Sequence, residues 1–373
     1  MTQKARRREC VILVGRYPPP FGGVSVHIYR LRELLLANGI RCTVLAVQSK
    51  PQSSENIISI RAIHKWLGVF IRYKCAVHVH VSTLDFKNAI SIAAASLLSA
   101  LTRNKLLITV HGTAGIEVNR LDTLRKLMIR TVLVGVYHYI AVGPPVQQNL
   151  QKLHVNAEKM SIIPAFLPPV PRIEDSREIP QDICDFLHDR TPVLTANAYA
   201  VDFHNDEDLY GMDLCIDLCS NLRQAYRQLG FVFCISNVTH DDYLSRLQNK
   251  IVASNLQDNF LFVTHSYNFY VFLMQSDLFL RPTNTDGDAI SVREALYFKV
   301  PTIASDVVPR PQGVILFKSR DIDDLTAKVH DTLDNYSWYK AELKSLEPQR
   351  NFEKILYIYA QIFGDKWQRQ FRV

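Results

Sequence analysis

The sequence predicts an α/β protein with two domains, each built on a parallel sheet, and three observations support this fold class. Short apolar runs typical of buried strands alternate with segments whose apolar residues recur at helical spacing, as in parallel sheets. The alternation restarts after residues 164–190, a stretch rich in proline and charge. With 373 residues and 47% hydrophobic content, the chain is too long for one typical domain and can fill two cores.

The first domain, residues 1–170, begins with the strand ECVILVG over residues 9–15. The helix VSVHIYRLRELLLANG follows and is predicted to end at Gly39. The remaining strands predicted in this domain are RCTVLAV, AVHVHVS, LLITVHG and HYIAVG. Residues 171–190 are predicted to be the linker to the second domain.

The second domain, residues 191–349, repeats the pattern. Its predicted strands are TPVLTANA, FVFCIS, NFLFVT, LFLRPT and PTIAS, and two of its predicted helices are GMDLCIDLCSNLRQAY and SVREALYF. A last helix, at about residues 350–373, is predicted to pack back on the first domain. Ligands of parallel sheets bind at the carboxyl ends of the strands, and most of the unusual residues of this sequence lie there.

Charge is divided unevenly along the chain. Residues 1–175 contain 23 basic and 9 acidic residues, a net charge of +14, whereas the remainder has 20 basic and 27 acidic residues, a net charge of −7. The first domain is therefore expected to meet an anionic partner. The basic residues are dispersed and match no nucleic-acid motif, so an anionic membrane surface or a phosphate-bearing lipid is the expected partner.

Cysteine usage and hydropathy indicate the compartment. The seven cysteines are scattered and form no CxxC pair, which favours reduced cytoplasmic thiols over disulfides or a metal site. The longest apolar helical run, residues 89–102, is too short to span a bilayer. The expected localisation is cytoplasmic, with peripheral attachment to the inner face of the plasma membrane.

Two motifs of the first domain follow predicted strands. In PPPFGGVSVHI, Gly22 and Gly23 let the backbone approach a ligand where a helix begins, which predicts an anion site, although a plain strand–helix connection has the same pattern. In LLITVHGT, His111 stands at the end of a strand, where it could donate to a ligand oxygen or be a buried structural residue. His78 and His80 share one face of their strand and are interpreted as core or lining residues.

The stretch RPTNTDGDAISVREALYFKVPTIASD, residues 281–306, places two acids eight positions apart. Asp286 lies in a loop before the predicted helix and could accept hydrogen bonds from sugar hydroxyls. Glu294, about one turn into the helix, could accept from a second diol such as a ribose. The first amides of this helix suit a diphosphate, although a capped helix with a solvated acidic loop is the simpler alternative.

Together, these three motifs resemble those of the retaining family 4 glycosyltransferases of GT-B fold. Asp286, seven intervening residues and Glu294, followed by PTIAS, resemble the acid-x7-Glu motif of that family. The Gly-Gly loop and the HGT sequence resemble its N-terminal motifs, and AVGPPVQQNL and KMSIIPAF resemble the segments before and at the interdomain crossing. The match in order and spacing extends over most of the chain.

The resemblance implies two Rossmann-like domains whose parallel sheets face each other across a cleft, with a nucleotide-diphosphate sugar as donor and no metal or other cofactor. It implies that Asp286 and His111 act on the donor sugar and that Glu294 holds the ribose. The remaining donor-binding residues that it implies are Gly22, Gly23, Gly287, Asp288, Ala289, Ile290 and Ser291.

The sequence departs from the family pattern at the two cations that neutralise the leaving diphosphate. Asn197 stands where the family has Arg, and Tyr210 stands in place of the Lys that precedes Gly211. The first acid of the motif is also Asp rather than Glu. Arg281 is the preferred substitute cation and is included in the donor site with Asn197. The other basic residues near the motif are Arg293 and Arg310.

Three functions remain open at this point. The favoured one is retaining, hexosyltransferase-like transfer from a nucleotide sugar to a glycan or lipid-linked glycan acceptor in polysaccharide biosynthesis. The alternative is a non-catalytic GT-B protein that binds nucleotide sugars or serves as a scaffold, because the family cations are missing. A sugar-nucleotide epimerase is less well supported, because its extra acid and base pairs are not recognisable.

Two segments motivate the membrane hypothesis. KARRR, residues 4–8, is strongly basic, and RLDTLRKLMIR, residues 120–130, combines an apolar helical face with flanking basic residues. This pattern is typical of a helix that lies in a membrane interface, although an ordinary surface helix packed on the sheet has the same pattern.

Overall fold

A computed structural model describes most of the chain. The described residues are 9–18, 23–47, 56–59, 68, 70–71, 73–82, 86–112, 130–131, 133–265, 267–364, 367 and 369. The chain divides into two compact units, which we call unit 1 (Met1–Val170 with Gln349–Val373) and unit 2 (Pro171–Pro348). Each unit is an α/β domain around one parallel sheet, which confirms the predicted fold class.

The first part of unit 1 alternates strands and helices. The elements are β1 (Glu9–Gly15), α1 (Gly23–Ala37), β2 (Cys42–Ala46), β3 (Ile57–Ser59), β4 (Lys74–Val81), α2 (Phe86–Thr102), β5 (Lys105–Val110), β6 (His138–Ala141), α3 (Pro144–Lys152), a 3-10 helix (Ala157–Lys159) and β7 (Met160–Ile162). The seven strands are parallel in the order β3-β2-β1-β4-β5-β6-β7. The order reverses direction between β1 and β4, and ligands of such sheets bind at the carboxyl ends of strands at this point.

Unit 2 repeats this design with a sheet of six parallel strands. Its helices are α4 (Ile173–Arg177), α5 (Gln181–His188), α6 (Met212–Leu222), α7 (Asp241–Ala253), α8 (Tyr270–Leu273), α9 (Ile290–Tyr297), α10 (Ile322–Asp334) and α11 (Tyr336–Ser345). Its strands are β8 (Val193–Ala198), β9 (Phe203–His204), β10 (Glu207–Asp208), β11 (Gly230–Ile235), β12 (Phe260–Val263), β13 (Leu278–Arg281), β14 (Thr302–Ser305) and β15 (Val314–Phe317). The six parallel strands lie in the order β12-β11-β8-β13-β14-β15, and this order reverses direction between β8 and β13. β9 and β10 form a small antiparallel pair.

The segment predicted as a linker, residues 171–190, folds as α4 and α5 within unit 2. Ile179, Ile183 and Leu187 are buried against Val232 and neighbouring apolar residues. The charged and proline residues of this segment lie in and around two short helices, and its apolar residues pack into the core of the unit.

The last helix, α12 (Asn351–Phe363), belongs to unit 1. Its buried Ile355 and Tyr359 share a core cluster with Leu13 of β1 and Leu31 of α1. Asn351 is also buried and donates from Nδ2 to the carbonyl oxygen of Phe166 at 3.0 Å. The helix is amphipathic, and burial of its apolar face anchors the end of the described chain to the sheet of unit 1.

Candidate functional site

In unit 2, the strand ends nearest the reversal point carry Asn197 and Arg281. Leu280 of β13 pairs with Ala196 of β8, which places Arg281 next to Asn197 along the same edge. Arg281 donates from Nη1 to the backbone oxygen of Asn197 at 3.0 Å and to its Oδ1 at 3.4 Å. The guanidinium also lies over the ring of Tyr210, 5.2 Å from its centroid, as a cation–π pair.

This arrangement places a cation between the two positions at which the family pattern has Arg and Lys. The guanidinium of Arg281 contacts both of the residues that stand there, Asn197 and Tyr210. Both of these residues therefore contact a guanidinium that comes from a different strand.

Asp286 lies in the loop after β13 and accepts four hydrogen bonds. Arg281 binds both carboxylate oxygens, with Nε to Oδ2 at 3.0 Å and Nη2 to Oδ1 at 3.1 Å. Arg310 donates from Nη1 to Oδ2 at 2.7 Å, and the amide of Gly287 donates to Oδ1 at 3.0 Å. The carboxylate is only 7% exposed. Sequence analysis assigned Asp286 to sugar hydroxyls, whereas here its oxygens hold two arginines in place.

Electrostatics at Asp286 follow from this geometry. Burial acts to raise the pKa of the Asp286 carboxyl, but the hydrogen bonds and charges of Arg281 and Arg310 outweigh it, so the pKa lies below its usual range. Two guanidinium groups face one carboxylate, which leaves one net positive charge in the cluster. Such a cluster favours an anionic ligand.

The second arginine, Arg310, is held by the end of β14. It donates from Nε to the backbone oxygen of Ser305 at 3.1 Å, and its side chain is 2% exposed. Ser305 in turn donates to the backbone oxygen of Thr283 at 2.6 Å. Ser305 of the PTIAS segment therefore positions Arg310 to bind Asp286, although Arg310 lies 24 positions after Asp286 in the chain.

Helix α9 begins beside this cluster. Its N-cap residue is Ala289, whose methyl group cannot cap the first amides, and the positive end of a helix suits an anion. Ser291 and Glu294 of this helix are buried, with Glu294 4% exposed. Gly287 is exposed, and Asp288 pairs at the surface with Arg293 at 2.6 Å. Arg293 therefore forms its ion pair with Asp288 and not with Asp286.

Sequence reasoning missed Asp208, which organises the turn before α6. Its buried carboxylate accepts from the amides of Tyr210 and Gly211 at 3.0 Å and from the hydroxyl of Tyr243 at 3.0 Å. Burial and the nearby charge of Asp213 raise the pKa of Asp208. An Asp three residues before a glycine and a helix is a capping signal, and here it fixes the turn that carries Tyr210.

Gly211 shows why this turn needs glycine. Its φ is +67°, and a Cβ at this position would come within 2.5 Å of the backbone oxygen of Pro282. The turn before α6 thus lies directly against the loop after β13, which brings Tyr210 to Arg281.

In unit 1, four histidines gather at the ends of three elements. His27 lies in α1, His78 and His80 lie in β4, and His111 follows β5. The rings of His27 and His111 are 4.7 Å apart between centroids, and Nδ1 of His80 is 3.2 Å from Nε2 of His111. Gly15 lets α1 pack closely on the sheet at this edge, since a Cβ there would lie 2.5 Å from Cδ1 of Ile28 and 3.3 Å from the backbone oxygen of His80.

Three of these histidines, His27, His78 and His80, are buried, His111 is half-buried, and their surroundings favour the neutral form of all four. Burial lowers the pKa of His27 to about 4 and that of His78 to about 3, and it lowers the pKa values of His80 and His111 well below their usual range. Nδ1 of His78 lies 2.7 Å from the Tyr359 hydroxyl and its Nε2 lies 2.7 Å from Thr109 Oγ1, which makes His78 a structural tie to α12.

The structure describes only part of the other unit 1 segments for which the sequence predicts a function. Gly23 is the exposed first residue of α1, whereas Gly22 lies outside the described residues. Most of the two basic segments, residues 4–8 and 120–129, also lies outside them. In the described part of the chain, no helix combines the length and the apolar character needed to cross a membrane.

Comparison with known families covers most of the chain. Residues 21–169 match the model of Glycosyltransferase Family 4, and residues 199–346 match that of Glycosyl transferases group 1. The two matches together span about four fifths of the sequence. None of the curated proteins matches the chain by sequence.

Solved structures share the fold at low identity. A glycosyltransferase from Rickettsia africae superposes with a TM-score of 0.64 at 14% identity, over 96% of this chain and 99% of that one. HepE of Anabaena, solved in complex with UDP, gives 0.53 at 13% identity over 95% of both chains. Sucrose-phosphate synthase from Thermosynechococcus elongatus gives 0.53 at 15% identity over 96% and 99%. These likenesses establish the GT-B fold.

Proposed function

We propose that this chain, which belongs to the glycosyltransferases of GT-B fold, transfers a sugar from a nucleotide-diphosphate donor with retention of anomeric configuration and without a catalytic metal. The acceptor is a glycan or a lipid-linked glycan in polysaccharide biosynthesis. UDP-sugars are the first donors to test, because HepE of Anabaena was solved with UDP and with UDP-glucose.

The observation that carries this proposal is the position of Arg281. Its guanidinium contacts both residues that replace the family cations, and its side chain remains 11% exposed while that of Arg310 is 2% exposed. Arg281 is therefore the cation assigned to the leaving diphosphate. Arg310 and Asp286 hold it in place, and the first amides of α9 supply further donors to the same anion.

The other roles follow the motif. Glu294 is assigned to the ribose hydroxyls, and Gly287 to Ser291 are assigned to the sugar and phosphates. In unit 1, the Gly22–Gly23 loop is assigned to the diphosphate and His111 to the donor sugar. His111 is neutral at pH 7 because burial lowers its pKa, so it is suited to donate one hydrogen bond rather than a charge.

A matched pair of substitutions tests the role of Arg281. Arg281→Met removes the assigned cation, and we expect turnover to fall by about 100-fold, as for the loss of one strong electrostatic donor. Arg190→Met removes an arginine of the same unit whose Nε donates to the backbone oxygen of Asp258 at 2.9 Å, and we expect little change in turnover. Circular dichroism shows whether each variant is folded. Equal rates in a folded Arg281→Met variant and the wild type would exclude this role.

A second function, nucleotide-sugar binding without turnover, is favoured by one observation. The four hydrogen bonds to Asp286 occupy both of its oxygens, so a donor sugar must displace an arginine or the Gly287 amide to bind this carboxylate directly. Donor binding by calorimetry, combined with the absence of nucleotide release across a panel of acceptors, would establish this alternative.

We also propose that the basic first domain takes its acceptor at an anionic membrane surface on the cytoplasmic side. The support is the net charge of +14 over residues 1–175. Each basic residue near such a surface contributes about 1 kcal/mol, so several residues hold the protein there at low salt. Replacing Arg125, Lys126 and Arg130 with Ser should weaken flotation with acidic liposomes while leaving donor affinity unchanged. No flotation of the wild type at low salt would exclude the membrane surface.

A further inference from the structure

Unit 1 contains a group of three imidazole side chains, of which only His111 has a ligand assigned above, the donor sugar. One ring nitrogen from each of His27, His80 and His111 lies within 4.8 Å of the other two. The three side chains come from α1, β4 and the turn after β5, which meet at the reversal point of the strand order. We propose that His27, His80 and His111 bind a divalent transition-metal ion, for which Zn²⁺ is the best match.

The tautomer of His27 prepares it as a ligand. Its Nδ1 lies 2.6 Å from the backbone oxygen of Ala165, and since a carbonyl only accepts, Nδ1 carries the proton. Nε2 therefore presents a lone pair. It is buried and has no hydrogen-bond partner among the described residues. An imidazole that donates one N–H to a backbone carbonyl and offers its other nitrogen is the usual arrangement of a metal-ligating histidine.

His80 and His111 complete the group. His80 is 4% exposed, and the nitrogen that it offers to the group is Nδ1, which faces His111. The separation of 3.2 Å between Nδ1 of His80 and Nε2 of His111 is close to the distance of about 3.3 Å that separates two nitrogens bound to one tetrahedral zinc ion. The other nitrogens of the group lie within 4.8 Å of one another, so binding requires the rings to approach by up to about 1.5 Å.

The chemistry of the group selects the ion. Three neutral imidazoles without a carboxylate suit a borderline-soft ion such as Zn²⁺, whereas Mg²⁺ and Ca²⁺ prefer oxygen ligands. Three protein ligands leave one position of a tetrahedral ion for water or a ligand oxygen. His78 is excluded, because both of its nitrogens are already bonded.

The experiment is metal binding by the full-length protein after removal of metals with a chelator. We expect one equivalent of Zn²⁺ in a competition titration, a visible Co²⁺ spectrum typical of a four-coordinate ion, and an increase in the thermal unfolding temperature on addition of either ion. The readouts require no turnover, so the result is independent of the proposed glycosyltransferase function.

Variants locate the site. His27→Ala, His80→Ala and His111→Ala should each weaken Zn²⁺ binding by about 100-fold or more, since the loss of an outer-shell partner alone costs 10–100-fold. His27→Gln, which keeps a polar side chain of similar reach, serves if the alanine variant does not fold. The matched control is His138→Ala in the same unit, whose Nε2 lies beside Ser161 Oγ at 2.9 Å and outside the group. It should bind like the wild type. Absence of stoichiometric binding by the wild type, or equal binding by the folded variants, would show that the group is only a buried neutral cluster.

Discussion

Replacing Asp286 with Asn tests the arginine cluster most sharply. The substitution preserves size but removes the charge that two guanidinium groups share, leaving Arg281 and Arg310 buried at 11% and 2% exposure. Breaking a buried ion pair by removing one partner costs about 3–5 kcal/mol, which is a large part of the 5–15 kcal/mol that typically stabilises a domain. In a unit of this size, that loss corresponds to a decrease of roughly 6–20 °C in the unfolding temperature.

The same substitution two residues later is the control. Asp288 is 56% exposed and pairs with Arg293 at the surface, so Asp288→Asn should cost less than about 1 kcal/mol. Both variants and the wild type are compared by urea denaturation, and hydrogen exchange with mass spectrometry localises the loss to unit 2. At temperatures where Asp286→Asn remains folded, we also expect turnover to fall at least about tenfold, because Arg281 loses its positioning partner. A stability loss below about 1 kcal/mol for Asp286→Asn would refute the reasoning.

Three further predictions concern other parts of the molecule. Burial lowers the folded-state pKa values of His27 and His78 to about 4 and about 3. The chelator-treated protein should therefore keep its full free energy of unfolding above pH 6.5 and lose about 1.4 kcal/mol of it per pH unit for each residue as the pH falls towards those values. Urea denaturation at several pH values measures this slope, and a constant free energy of unfolding between pH 7 and 5 would contradict the prediction. Gly211→Ala should destabilise unit 2 by more than about 1 kcal/mol in thermal unfolding, because it combines a φ of +67° with a contact of 2.5 Å to Pro282; unchanged stability would show that the turn can move. EDTA should leave turnover intact, since helix amides and Arg281 are assigned to the diphosphate; complete loss that Mn²⁺ restores would contradict metal-independent transfer.

Local pattern was sufficient for much of the fold. The first strand has the predicted bounds, Glu9–Gly15, and the helix predicted over SVREALYF corresponds to Ile290–Tyr297. The pairing of Phe203–His204 with Glu207–Asp208 was missed, because two-residue strands have too few residues to show a period. The short helices within residues 171–190 were missed because proline and charge in this segment hid its buried apolar residues.

The candidate sites show a different limit of sequence reasoning. The spacing of residues predicted that Asp286 lies in the loop before the helix that contains Glu294. It could not predict that Arg310, 24 positions after Asp286, binds this carboxylate. Likewise, the approach of His27 to His111 depends on how closely α1 packs against the sheet, which no periodicity reports. Contacts of this kind depend on how elements cross in space, and that crossing cannot be read from the spacing of residues along one sequence.

The central claim is catalytic transfer from a nucleotide sugar, and nucleotide release tests it most directly. Purified wild-type protein and the Arg281→Met variant are incubated with a panel of UDP-sugars and other nucleotide sugars, with glycan and lipid-linked acceptors, while NMR follows the released nucleoside diphosphate and the anomeric proton of the product. The account predicts release with at least one donor, a product that retains the anomeric configuration of the donor, and a rate about 100-fold lower in the variant. Donor binding without release in any combination, or a product of inverted configuration, would contradict it.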